Sequence, residues 1–207
     1  MDFIRPVRAV IPGAQGRILG VLAETTAELN LRTIARLSGV SLAQASRVLP
    51  SLVELGLIER REAPPSALFR FVPDNIAARA ITALARARQT VLDELGHAAA
   101  HLSPPPASTI VFGSFARGEA DAESDLDVVI VRSREVDEED LAWRSAVENW
   151  RDSARRLTGN RVEVVEVAEL EIGRLLRGRK PLWLDVRREG VVVFGIALVE
   201  LKGKRSA

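Results

Sequence analysis

The sequence predicts an α+β chain of two domains, the first helical with a small pair of strands and the second α/β with a mixed sheet flanked by helices. Three observations predict it. From residue 15 to about residue 102 apolar residues recur at three- and four-residue spacing, as in Ile18, Leu19, Leu22 and then Leu31, Ile34, Ala35, Leu37, the period of amphipathic helices. After SPPPAS the period changes, because TIVFG, LDVVIV and RVEVVEV are short and β-branched, with segments between them long enough for helices. The proline-rich stretch 103–108 separates the two patterns, so the reading is a domain over 1–75, a connecting helix over 76–102 and a second domain over 108–207.

Composition narrows the class. With 207 residues, 47% hydrophobic and 28% charged at a net charge of +1, the chain has the make-up of a globular protein with a real core rather than of a disordered or membrane one. No bulk charge advertises a polyanionic partner. The absence of cysteine excludes disulfides, thiolate zinc sites and thiol catalysis. MDFIRPVRAV lacks the apolar run of a signal peptide and VVVFGIALV is too short to span a bilayer, so the expectation is a cytoplasmic protein with no membrane partner.

Within the first half, residues 31–74 read as a helix, a tight turn at Gly39, a second helix, and two strands joined by a Pro-Pro loop. Ser41 followed by Gln44 predicts a capping box for the second helix, and Gly56 is placed to end it. Pro50 falls about three turns into that helix, where it removes the bond to the Ser46 carbonyl at a cost of roughly 3 kcal/mol. This stretch resembles the winged helix-turn-helix of bacterial transcription regulators. The resemblance implies that Ser41, Gln44, Ala45 and Arg47 lie at the DNA-facing end of the recognition helix, while Arg60, Arg61 and Arg70 flank the wing and meet phosphates. The plainer reading of the same residues is a closed helix cap and solvated surface charge. Nine arginines against seven acidic residues in 1–75 make a faint electrostatic footprint.

The segment that follows, DNIAARAITALARARQTVLDELGHAAAHL, reads as one helix capped by Asp74, with an apolar face carrying Ile76, Ala80, Leu84, Val91, Leu92 and Leu95. Such a helix bridges domains or pairs with its copy in a homodimer. His97 and His101 lie one turn apart without a third ligand in view, which reads as a surface pair rather than a metal site.

The chemistry concentrates in VFGSFARGEADAESDLDVVIV. Residues two apart on a strand project from one face, so Asp125 and Asp127 share a side while Leu126 and Val128 point into the core. Two carboxylates within about 6 Å repel by about 3 kcal/mol at an effective dielectric near 20. A third would triple the repelling pairs, and a divalent cation relieves them most directly. Upstream, the Gly113–Ser114 turn offers backbone N–H groups and a hydroxyl to an anion. Metal and phosphate are thus called for side by side, as in a magnesium nucleotide site.

GSFARG, then SDLD, then an apolar strand resembles the DNA polymerase beta-like nucleotidyltransferases, above all their minimal branch, over 109–195. The resemblance implies that Asp125 and Asp127 coordinate two Mg²⁺ ions and that Gly113, Ser114 and Ser124 bind the triphosphate of ATP or another NTP. Arg117 either holds a phosphate or pairs with Asp121 or Glu123. A third acidic residue belongs on a following strand. Glu163 of RVEVVEV stands in the matching place, a glutamate where the family more often has aspartate, and Glu166 has the opposite strand parity. The activity implied is transfer of a nucleoside monophosphate, AMP from ATP, to a hydroxyl of a partner macromolecule.

Minimal nucleotidyltransferases of this kind often act as antitoxins that modify a ribonuclease toxin on tyrosine. This chain has no tyrosine, so a protein or RNA acceptor must come in trans. Other branches modify tRNA ends or aminoglycosides, and the arginine-rich run IGRLLRGRKPLWLDVRR reads either as an RNA surface with Trp183 stacking on bases or as a solvated helix face with Trp183 packed beneath it. A rival from another class keeps the fold and drops catalysis: a transcription regulator that senses a nucleotide without turnover.

Overall fold

The computed structural model describes residues 1–203, so residues 204–207 at the end of the expected second domain lie outside the described residues. The chain divides between Ala87 and Arg88 into two compact units, with Met1 and Phe3 counted in the C-terminal one.

The N-terminal unit runs α1 (Pro6–Val10), α2 (Gly13–Ala23), β1 (Leu29–Asn30), α3 (Leu31–Ser38), α4 (Leu42–Glu54), β2 (Ile58–Ala63), β3 (Ser66–Phe71) and α5 (Ile76–Ala85). Local chemistry explains the helix-turn-helix. Asn30 caps α3 by accepting from the Thr33 N–H at 2.9 Å, and Gly39, at φ 66°, supplies the left-handed turn that ends it. The expected capping box is present, with Gln44 N–H donating to Ser41 Oγ and Ser41 N–H to Gln44 Oε1, both at 3.1 Å. From there α4 runs through Pro50 without interruption. Its buried face, Ala45, Leu49 and Leu52, joins Ile18, Leu22, Ile34, Phe69 and Phe71 in one core. The hairpin of β2 and β3 turns at Pro64 and Pro65, and β1 completes an antiparallel sheet of order β1-β3-β2.

The single helix expected over 76–102 is instead two. The helix α5 is capped by Asn75, not Asp74, through Oδ1 accepting from Ala77 and Ala78 N–H at 2.9 and 3.3 Å. It ends at Arg86, whose φ of −95° and ψ of 10° leave the helical region. A second helix, α6 (Ala87–Ala100), follows. The break has a packing cause: Ala78 and Ile81 of α5 are buried in the N-terminal core, whereas Val91, Leu92, Leu95 and Ala99 of α6 are buried in the C-terminal unit. One straight helix need not serve two cores in phase. The proline-rich segment 103–108 accordingly joins elements inside the C-terminal unit.

That unit continues with β4 (Ser108–Phe112), α7 (Gly113–Arg117), β5 (Leu126–Arg132), α8 (Leu141–Thr158), β6 (Val162–Ala168), α9 (Glu169–Arg177), α10 (Pro181–Glu189), β7 (Val191–Gly195) and α11 (Leu198–Gly203). The sheet order is β6-β5-β4-β7, with β5 and β6 parallel and the other pairs antiparallel. Both faces are covered. On one, Trp143 of α8 donates Nε1–H to Glu166 of β6 at 3.0 Å. There Trp150 Nε1–H donates to the Leu95 carbonyl of α6 at 3.3 Å. Gly96 of α6 sits so near the Val193 carbonyl that a Cβ would stand 2.2 Å from it. On the other, Ile110, Val129, Val131 and Val167 bury against Ile172, Leu176, Trp183, Val186 and Leu201. Phe3 is buried edge-on against Phe115, ring centroids 4.9 Å apart, and its N–H donates to the Ala120 carbonyl at 2.9 Å. No helix among the described residues is long and apolar enough to cross a membrane.

Candidate functional site

The strands bring the expected acidic residues to one end of the sheet. Phe112, the last residue of β4, is the register partner of Asp127 on β5, and Asp127 is in turn the partner of Glu163 on β6. Asp125 immediately precedes β5, where the Leu126 N–H donates to the Arg161 carbonyl at 2.8 Å and ties this end of the strand to the start of β6. Glu166, of opposite parity, faces away and accepts from Arg132 Nε at 2.7 Å and from Trp143. Sheet register therefore places Glu163, and not Glu166, beside Asp127.

The turn after β4 meets the same place. Gly113 has φ 71°, and a Cβ there would stand 2.5 Å from Asp127 Oδ2. Glycine is required twice at this position, for its backbone conformation and for the room it leaves the carboxylate. Asp127 is half-buried, and its carboxyl is pushed above the usual aspartate range, first by burial and then by the charges of Asp125 and Glu163, with Arg117 acting in the opposite sense.

The expected three-carboxylate metal cluster is not closed. Among the described residues no group of three or more His, Cys, Asp or Glu is placed to hold a metal ion. Arg161 lies between two of the acids: its Nη2 donates to Glu163 Oε1 at 2.6 Å while its Nε lies 3.5 Å from Asp125 Oδ1. A guanidinium thus neutralises two of the three acids. The donor set itself, carboxylate oxygens with a cradle beside Asp127 that a Cβ would fill, suits a hard divalent cation. Arg161 is 70% exposed and not locked in place by packing.

The remaining expected nucleotide ligands are placed as follows. Ser114 follows Gly113 on α7, and among the described residues its hydroxyl has no hydrogen bond, while its carbonyl accepts from the Glu119 N–H at 2.8 Å. Arg117 pairs with neither Asp121 nor Glu123. It donates to Glu119 at 2.6 Å and to Glu189, a largely buried carboxylate on α10 that no local spacing points to. The Ser124 hydroxyl is engaged in the turn before Asp125, donating to Asp121 Oδ1 at 2.8 Å and accepting from the Asp121 N–H at 3.0 Å.

Two residues that sequence reasoning passed over hold this machinery. Asn160, buried, donates from Nδ2 to the carbonyls of Asp121 and Ser124 at 3.0 and 2.8 Å, fixing the turn that delivers Asp125. Arg88 of α6 donates from Nε to the Phe115 carbonyl at 2.8 Å and from Nη2 to that of Ala116, holding the last turn of α7. Each sits on a different element from what it supports, so no spacing in the chain marks it.

In the N-terminal unit, Ser41, Gln44 and Arg47 are exposed at the start of α4, with Ser41 and the Gln44 amide oxygen committed to the cap. Ala45 is fully buried, which removes it from any DNA-facing set. The hairpin arginines are each paired: Arg60 with Glu62 at 2.7 Å, Arg61 with Glu28, and Arg70 with Glu59 at 2.7 Å. Trp183 is buried in the core, so base stacking on it is foreclosed. His97 and His101 stack with centroids 6.0 Å apart, and the His101 ring nitrogen Nδ1 lies 2.7 Å from the His97 carbonyl.

Compared with protein-family models, residues 16–62 match the IclR helix-turn-helix domain, and residues 92–195, half of the chain, match the nucleotidyltransferase domain. No curated protein matches the chain, and no solved structure does.

Proposed function

The chain belongs to the nucleotidyltransferase domain family and carries a helix-turn-helix domain ahead of it, and from that premise we propose that it transfers a nucleoside monophosphate, AMP from ATP, to a hydroxyl of a partner macromolecule in a magnesium-dependent reaction. The observation that carries this reading is the placing of Asp127. It lies against Gly113 of the turn and in register with Glu163, and its carboxyl is pushed upward first by burial and then by the charges of Asp125 and Glu163. A fold that gathers such charge at a strand end bears a cost that a cationic ligand removes.

Asp125, Asp127 and Glu163 are the residues that would hold Mg²⁺. When bound, the metal supplies Lewis-acid polarisation of the phosphoryl group and eases ionisation of the incoming hydroxyl. The chain's own part is positional. Gly113 and Ser114 receive the triphosphate, Arg88 steadies their turn, Asn160 fixes the approach to Asp125, and Arg117 adds positive charge close to Asp127. Transfer joins the acceptor oxygen to the α-phosphorus and breaks the bond to pyrophosphate, which leaves with the displaced charge. The acceptor hydroxyl is supplied by another molecule in this reading; if it is a tyrosine it cannot be the chain's own, which has none.

Replacing Asp125 and Asp127 together by asparagine abolishes transfer from α-labelled ATP to the acceptor while the circular dichroism spectrum stays that of the wild type; label transfer at the wild-type rate would refute the assignment. A second reading draws on the helix-turn-helix domain: DNA binding through the exposed start of α4, which in an antitoxin would permit repression of its own promoter. A nucleotide-sensing regulator without turnover is separated from the enzyme by pyrophosphate release, which only the enzyme shows.

A further inference from the structure

Three of the nine arginines in residues 1–75, those of the hairpin and β3, are neutralised by glutamates. A second group is not. A cavity of about 490 Å³ between α1, α2 and α3 is lined by Arg5, Arg8, Arg17 and Arg36, with Glu24 as the one acidic side chain in its wall. None of these four arginines forms an ion pair among the described residues, and Arg17 has only a long hydrogen bond from Nη1 to the Gly39 carbonyl, 3.3 Å. The gathering is built into the backbone. Gly16 of α2 lies so close to the end of α1 that a Cβ would stand 1.7 Å from the Ile11 carbonyl oxygen, so α1 is drawn against α2, and Arg8 on it and Arg5 just before it join the arginines of α2 and α3.

We propose that this cavity binds the phosphate backbone of DNA and is the main electrostatic contact of the N-terminal unit, in place of the hairpin; the proposal rests on the DNA-binding reading above. Guanidinium groups are always charged, and their planar forks match phosphate oxygens. Four of them around one opening with a single carboxylate repel one another until an anion enters. DNA is the fitting source because Ser38 and Gly39, which line the cavity, lead directly through the turn to Ser41 and α4. Phosphates held here lie along the chain from the helix expected to meet base edges.

The test uses the full chain, fluorescence anisotropy on a labelled duplex, and a salt titration from 50 to 200 mM. Neutralising phosphates gives a log–log salt slope of about −0.9 per contact. Arg8→Ala with Arg36→Ala makes the slope shallower by about 2, Arg8→Lys with Arg36→Lys keeps it at the wild-type value, and Glu28→Ala with Arg61→Ala, which deletes a neutral hairpin pair, leaves it unchanged. A wild-type slope in the alanine pair overturns the proposal while DNA binding stands. A loss in the lysine pair equal to that in the alanine pair overturns it too, since charge is then not what acts. Absence of binding by the wild type at 50 mM salt overturns the DNA-binding reading and this proposal together.

Discussion

Asp127 shows how much a single residue's surroundings decide. Its folded-state pKa is raised by burial and by two neighbouring carboxylates, whereas the unfolded chain keeps the ordinary value of about 3.9. Between those values the folded state binds more protons than the unfolded one, so stability falls as pH rises through that window and stays lowered above it. Asp127→Asn is free of this loss. In EDTA the variant melts above the wild type at neutral pH, and the gap closes as the pH is brought below about 4; melting temperatures that run parallel from pH 3.5 to 8 would show that Asp127 carries no such penalty. The paired aspartates and the glycine before them were legible because their geometry is local: alternate strand positions share a face, and a turn follows an apolar run. Arg161 and Glu189 were not, because they reach the site through strand register and helix packing.

At the scale of elements, the helix-turn-helix was readable down to its cap, since Ser41, Gln44, Gly39 and Gly56 act within their own few residues. The long helix over 76–102 failed as an expectation because no glycine or proline stands near Arg86, where it ends; what changes there is the core its apolar residues enter. The strand β7 likewise passed as no more than a greasy run. Pro50 gives this scale its prediction. It is exposed on α4, lacks the N–H that would bond the Ser46 carbonyl, and is tolerated because the flanking turns pack into the core. Pro50→Ala restores the bond without opening a cavity and stabilises the N-terminal unit by about 2 kcal/mol. The check is the urea midpoint followed by circular dichroism, which moves upward at unchanged m-value; an unmoved or lowered midpoint would mean that the helix is already adapted to its proline.

For the whole molecule, the change of hydrophobic period pointed to two units but not to where they part. The period change at the prolines is a change of secondary structure, while the division at Ala87 and Arg88 is a change of core. Tryptophans 143, 150 and 183 all lie in the C-terminal unit, so their fluorescence follows that unit's unfolding alone. Phe3→Ala strips the cover from Phe115 and lowers that unit's stability by about 3 kcal/mol, seen as an earlier tryptophan transition in urea; a coincident curve would mean that the ring contact is idle. Phe3 also sets an order of events. It leaves the ribosome long before Phe115 exists, and the loop joining them spans roughly a hundred residues, a closure of about 4 kcal/mol in chain entropy. That unit is thus sealed by a side chain made well before the rest of it, which must wait, unpartnered, until the short helix α7 that carries Phe115 has been made.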